Sequence, residues 1–289
     1  MIVSIDKIIN KAKKQGYAVG AFNTSNLEIT LAIIKAAVAK KSPVIIQTSE
    51  SAIKYSSLET LFGIITNLAN TVGKSVPVAI HLDHGKHLPI VKDCIKVGYN
   101  SVHMDASEQN FATNVKLTKQ AVKLAHKKGI WAQAELGAIL GKEGMIHLKT
   151  GKINMQDLMT DPDKAAEFVK KAKPDTLAIA VGTIHGSFKG FEKIDQPRLK
   201  EIARLVKIPL ILHGGSGLST QTFKTAIKNG VSVINIDTNL RLAFKQALIK
   251  SLRVKSDIID PRKILAPSTN AMQAEVEKMI TIFGSNNKA

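Results

Sequence analysis

Eight short apolar, β-rich runs recur along the chain with longer amphipathic stretches between them, and this alternation constrains the fold more than any other feature. The runs are read at Tyr17–Asn23, Pro43–Ser49, Val76–His84, Ser101–Ala106, Ile130–Ile139, Thr176–His185, Ile208–Gly214 and Val231–Asp237. Between them, Leu27–Lys40, Leu58–Gly73, Glu108–Lys128, Asp163–Lys173 and Thr220–Asn229 are each long enough to be a crossover helix. Parallel strands need such crossovers, so eight units predict an α/β chain folded as a (β/α)8 TIM barrel; an open, doubly wound sheet satisfies the same alternation. Hydrophobic residues make up 44% of the 289 residues and no low-complexity linker interrupts them, which predicts a single domain over 1–289. Past the DPRKIL segment an extra amphipathic helix is expected at Ser268–Ile280, capping the barrel or building a subunit interface.

A barrel carries its chemistry at the carboxyl ends of its strands, with hydrophobic filling expected before them. Asn23, Ser49, Asp83, His84, Asp105, Glu135, His185, His213, Asn235 and Asp237 all fall at predicted strand ends. Polar turn residues explain some Asn, Asp and Ser there, but not three histidines that each precede a glycine, in IHLDHG, AVGTIHG and LILHGG. Three neutral imidazoles converging from separate strands make a zinc site with one open position. Asp83, beside His84, either orients a ligand or shuttles a proton, and an adjacent open metal position favours the shuttle. His81 and His103 precede no glycine turn and are expected to be structural or to support the ligands from behind, while His87, His126 and His147 are expected at the surface.

The run LHGGSGL supplies Gly214, Gly215 and Ser216, whose backbone at a strand-to-helix turn suits an oxyanion. Asp237 and Thr238 would close this phosphate cup from the next unit, where late barrel loops bind phosphate. Gly137–Thr160, with Gly141, Gly144 and Gly151, has the length and glycine content of a lid.

Composition excludes several classes. MIVSIDKIINKAKK shows helical periodicity with charges inside its apolar part, unlike a signal peptide, and no apolar run reaches the roughly 18 residues that span a bilayer. A cytoplasmic location without membrane contact is expected. Cys94 is the only cysteine, which rules out an internal disulfide and predicts a buried, inert thiol. The net charge of +18 would suit nucleic acid, but Arg198, Arg204, Arg241, Arg253 and Arg262 are the only arginines, and the lysines spread over predicted helices. A solvated basic surface that steers an anionic, phosphorylated substrate fits better than a nucleic-acid partner or an adhesive surface.

HLDHG, MDAS, AELGAILGKEG, VGTIHG with Lys189, LHGGSG and NIDTNLR, in this order from AFNTSN to DPRKIL, resemble the class II, zinc-dependent fructose-bisphosphate aldolases, which include tagatose-bisphosphate aldolases. The resemblance implies reversible cleavage of fructose 1,6-bisphosphate to dihydroxyacetone phosphate and glyceraldehyde 3-phosphate, with Zn2+ on His84, His185 and His213. It implies that Asp83 exchanges the C4 hydroxyl proton, Glu143 acts at C3 and Asn235 holds the enediolate. Gly186, Lys189, Gly214, Gly215, Ser216, Asp237 and Thr238 would bind one phosphate, with Asn23 and Ser49 lining the pocket. Arg241, with Arg262 from a neighbouring subunit of a homodimer or homotetramer, would take the other. Asp105 and Glu135 would hold a second or displaced divalent ion, and a monovalent cation would sit near the phosphate loop. One departure is that Glu143 is the only acid in Gly141–Lys142–Glu143–Gly144, where the family often has paired acids followed by Asp. Tagatose 1,6-bisphosphate differs only in stereochemistry at C4, and Asp260 with Arg262 favours the fructose substrate. A sugar-phosphate isomerase or epimerase would share the barrel and the phosphate cup but has less use for three histidines beside Asp83.

Overall fold

The computed structural model describes residues 1–139, 155–186, 193–254 and 257–289. All eight expected strands form: β1 Val19–Asn23, β2 Val44–Ser49, β3 Val78–Gly85, β4 Ser101–Met104, β5 Trp131–Leu136, β6 Thr176–Ile179, β7 Leu210–Leu212 and β8 Val231–Ile236. Each pairs in parallel with its sequence neighbour and β8 pairs with β1, so the sheet closes into a barrel and the open-sheet alternative is eliminated. The helices Leu27–Ala39, Leu58–Asn70, Phe111–His126, Pro162–Ala172 and Thr220–Lys228 fall within a few residues of their expected bounds. Their starts follow side-chain caps: Asn26, Ser57, Asn110, Asp161 and Ser219 each accept a backbone N–H three residues on.

Two apolar layers result. Outward-facing strand residues such as Phe22, Ile46, Ile80, Val102 and Leu212 pack under the helices, while Val19, Ala21, Ile45, Ala79, Ala178, Ile211 and Val233 form a second cluster with the N-terminal helix Ile5–Gln15. Ile5, Ile8, Ile9 and Ala12 recur at helical spacing and plug the barrel from that end. The cap is therefore this first helix. The last helix begins earlier than expected, at Pro261 behind an Asp260 N-cap, and runs to Phe283. It buries Met272, Val276, Met279 and Ile280 in the outer layer and contacts the helices Leu27–Ala39 and Thr238–Val254 rather than covering a mouth.

The expectation of purely hydrophobic filling below the strand ends is corrected. Gln47, His81, Ser101, His103, Gln133 and Thr176 are all buried in the strands. Strand side chains alternate with a period of two, so Gln47, His81 and Gln133 share a face with Ser49, Asp83 and Glu135. A polar layer thus underlies the mouth. Cys94 is buried, and burial pushes its thiol up to about 12. Among the described residues no helix is long and apolar enough to cross a membrane.

Candidate active site

Asp83 and His84 are consecutive, and in a regular strand their side chains would point to opposite faces. The β3–β4 register shifts between Leu82 and Gly85, and His84 takes a left-handed backbone with φ 47°. That conformation costs a non-glycine residue about 1–2 kcal/mol and is the kind of local strain found at functional sites. The irregularity turns His84 toward Asp83, leaving His84 Nε2 3.9 Å from Asp83 Oδ1. Gly85 is needed beside it, because a Cβ there would lie 2.6 Å from the His103 carbonyl oxygen.

His213 follows β7 directly, whereas β6 ends at Ile179, so His185 stands in the loop beyond rather than on the expected strand. The two loops are locked together at Gly214, where φ is 63° and a Cβ would approach the Ile184 oxygen to 2.6 Å. The rings of His84 and His213 stand 4.7 Å apart, those of His84 and His185 5.1 Å, and those of His185 and His213 6.1 Å. One nitrogen from each histidine falls within 4.8 Å of the others. His84 Nδ1 is 2.8 Å from Asp105 Oδ2, which leaves Nε2 facing His213 Nδ1 at 2.9 Å. Imidazole nitrogens oriented by a carboxylate and converging on one point are the donor set a divalent transition metal requires. The residues present therefore fit such an ion.

Asp83 is 1% exposed and is held from two sides. Asn23 Nδ2 donates to its Oδ2 at 2.8 Å and Gln47 Nε2 at 3.1 Å, while Gln47 also donates to Asn23 Oδ1 at 2.7 Å. His213 Nε2 lies 3.0 Å from Gln133 Nε2 and 3.2 Å from Asn235 Nδ2. Gln47 and Gln133 were missed by the sequence reading, although their place two residues before Ser49 and Glu135 on strands was a usable signal.

Asn23, Asp83, His185, Gly186, His213 and Asn235 line one cleft of about 300 Å³, together with Gly214, Ser216, Asp237 and Thr238. Gly215 adjoins it, packed against Ile234 and the Asn235 carbonyl. Ser49 is buried with its hydroxyl 2.9 Å from that of Ser51. Asp105 and Glu135 sit behind His84, with Glu135 Oε2 3.8 Å from its Nδ1. Arg241 Nε donates to Asp237 Oδ1 at 2.6 Å, and Arg262, largely exposed, pairs with Asp260 at 3.0 Å. Glu143, Lys189, His147 and most of the Gly137–Thr160 segment lie outside the described residues. His87 and His126 are exposed, as expected, and His126 pairs with Asp175 at 2.9 Å.

The electrostatics keep most of the imidazoles neutral. Burial, reinforced by His84, pushes His185 and His81 down to about 3 and holds His103 and His213 well below their ordinary range. Burial also opposes charge on His84, but Asp83, Asp105 and Glu135 outweigh it and raise its pKa. Burial, with Asp105 close by, lifts Glu135 to about 8. Between about 3 and 6.5 an unfolded chain takes up protons that folded His81 and His185 refuse, so stability rises with pH across that window. Folded Glu135 keeps its proton between 4.5 and about 8, which makes stability fall with rising pH there. The four depressed histidines outweigh one glutamate up to 6.5, after which Glu135 and the raised His84 leave only the fall. In chelator, the urea midpoint is expected to peak near pH 6.5; a steady rise through pH 8 would contradict these assignments.

Comparison with known proteins agrees with the geometry. The family model described as fructose-bisphosphate aldolase class-II matches residues 3–288. The chain is 39% identical over 289 residues to a fructose-bisphosphate aldolase of Geobacillus stearothermophilus, covering 100% of this chain and 99% of the relative. It is 42% identical over 300 residues to that of Streptococcus pneumoniae, with the same coverage. Among solved structures, the YdjI aldolase from Escherichia coli K12 superposes with a TM-score of 0.84 at 33% identity, covering 100% of both chains.

Proposed function

Because the chain belongs to the class II fructose-bisphosphate aldolase family, we propose that it reversibly cleaves fructose 1,6-bisphosphate to dihydroxyacetone phosphate and glyceraldehyde 3-phosphate, using Zn2+ held by His84, His185 and His213. The observation that carries this reading is that three histidines converge, two of them, His185 and His213, lining one cleft with a buried carboxylate, Asp83. Zinc, when bound, supplies a Lewis acid that polarises the C2 carbonyl.

The chain's own residues do the rest. Asp83 takes the proton from the C4 hydroxyl as the C3–C4 bond breaks, and Asn23 and Gln47 aim it by donating to the same carboxylate oxygen. Asn235 steadies the oxygen where negative charge develops, and Glu143 delivers a proton to C3. Gly186, Lys189, Gly214, Gly215, Ser216, Asp237 and Thr238 hold the phosphate of the dihydroxyacetone phosphate half, and Asn23 and Ser49 shape the adjoining wall. Binding energy at both phosphates is thereby converted into orientation of the bond that breaks. Asp105 and Glu135 offer a second position for a divalent ion, and the phosphate loop a place for a monovalent cation.

Arg241 and Arg262 of a neighbouring copy would hold the second phosphate in a homodimer or homotetramer acting in the cytoplasm. Supporting self-association, Leu252 is 53% exposed and Ile259 92%, close in sequence to Arg262. Light scattering of the purified chain tests this, and a monomer at working concentration would remove it.

The test of function is cleavage of fructose 1,6-bisphosphate before and after chelation. Activity should vanish with chelator and return with Zn2+, and should exceed that on tagatose 1,6-bisphosphate. Cleavage that resists chelation would indicate a Schiff-base lysine and overturn the metal assignment.

A further inference from the structure

Beneath the cleft, within the barrel, lies a second, small cavity with room for one water, floored by Ile5 and Ile9 of the plugging helix and walled by Gln47, His81, Ser101 and Asn235. Three of these walls carry a buried polar atom without a partner: Gln47 Oε1, His81 Nε2 and Asn235 Oδ1. Orphaned groups at such depth are costly and rarely left unmet. Their chemistry is complementary to one small molecule.

The orientation of Gln47 is fixed, because its Nε2 donates to the Asp83 carboxylate, an acceptor only, so Oε1 must be an acceptor in search of a donor. His81 Nδ1 lies 2.9 Å from the Ser101 hydroxyl. With that hydroxyl donating to Nδ1, the neutral ring carries its proton on Nε2 and becomes a donor in search of an acceptor. The Asn235 amide meets His213 Nε2 with one end and turns its other end, unpartnered, toward the cavity.

We propose that a single ordered water occupies this cavity, donating to Gln47 Oε1, accepting from His81 Nε2–H and bonding the end of the Asn235 amide that faces away from His213. Three of its four hydrogen-bonding positions are then filled, the usual number for a buried water. On the functional reading above, the water is part of the positioning apparatus: it joins the amide that aims Asp83 to the amide that contacts the zinc ligand His213, and His81, remote from substrate, acts through it. This role accounts for a polar layer where barrel filling would otherwise be apolar.

A high-resolution crystal structure of the intact protein should show density for one water within hydrogen-bonding distance of all three atoms, whatever the enzyme cleaves. An empty cavity, or direct bonds among the three side chains, would overturn the site. For the positioning role, His81→Leu should lower kcat about tenfold with KM and bound Zn2+ unchanged, and His81→Gln, which keeps a donor, should recover most of the loss. Parental kcat in His81→Leu would overturn that role while leaving the aldolase reading intact; loss of Zn2+ from His81→Leu would assign His81 to the metal centre instead. Should His81→Leu fail to fold, His81→Gln at one-tenth of parental kcat or less would likewise overturn the positioning role. Absence of any fructose 1,6-bisphosphate cleavage by the parent would count against the functional reading alone, since the crystallographic water is scored independently.

Discussion

His213→Ala should reduce cleavage of fructose 1,6-bisphosphate by about a thousandfold or more. A metal ion contributes several kcal/mol of charge stabilisation in the transition state, and about 4 kcal/mol corresponds to roughly a thousandfold in rate. His213 is fully buried, 2.9 Å from His84 Nε2, and its loss removes a ligand that the enclosed site cannot replace from solvent. The same variant should lose Zn2+ on dialysis against a weak chelator that leaves the parent loaded. The fold should survive, because the substitution lies at a loop after β7 and not in either apolar layer. Activity within tenfold of the parent, measured on folded protein, would show that His213 is not a ligand.

Asp83→Asn tests the other half of the site. An amide keeps the shape and accepts hydrogen bonds through one oxygen, yet cannot take the C4 hydroxyl proton, so kcat should fall about 10²–10⁴-fold while Zn2+ remains bound. Asn23 and Gln47 both donate to Asp83 Oδ2, and the amide can present its oxygen to them, so the framework around it persists. A purely orienting Asp83 would instead show weakened Zn2+ binding with a modest change in kcat. The two roles left open by the residues HLDHG are separated by this pair of measurements.

How far the site could be read from the chain follows from which signals are local. The β/α alternation is written residue by residue, since a half-buried helix and a buried strand each need their own apolar period. The start of the last helix at Asp260–Pro261 was missed because Pro267, which lies inside it, reads as a helix boundary. Histidines before glycine could be recognised as strand-end residues, but nothing local says that β6 stops at Ile179 and delivers His185 from a loop. The plugging role of Ile5, Ile8, Ile9 and Ala12 was likewise invisible, because a helix's own apolar face does not reveal what it covers.

Eight β/α units, a buried thiol and the recurrence of histidine before glycine were legible along the chain, since each rests on composition, periodicity or a local motif; closure into a barrel was not, because an open sheet satisfies the same alternation. Tertiary structure alone decided how they meet. Regular strand geometry sends Asp83 and His84 to opposite faces, and only the irregular β3–β4 register with a left-handed His84 brings both to the same mouth. Close approach of Gly214 to Ile184 fixes two histidine loops against each other, and Gln47 and Gln133 acquire their purpose from partners far away in sequence. Long-range packing sets these contacts, and the energy of a buried amide or imidazole depends on which partner the closed barrel places beside it.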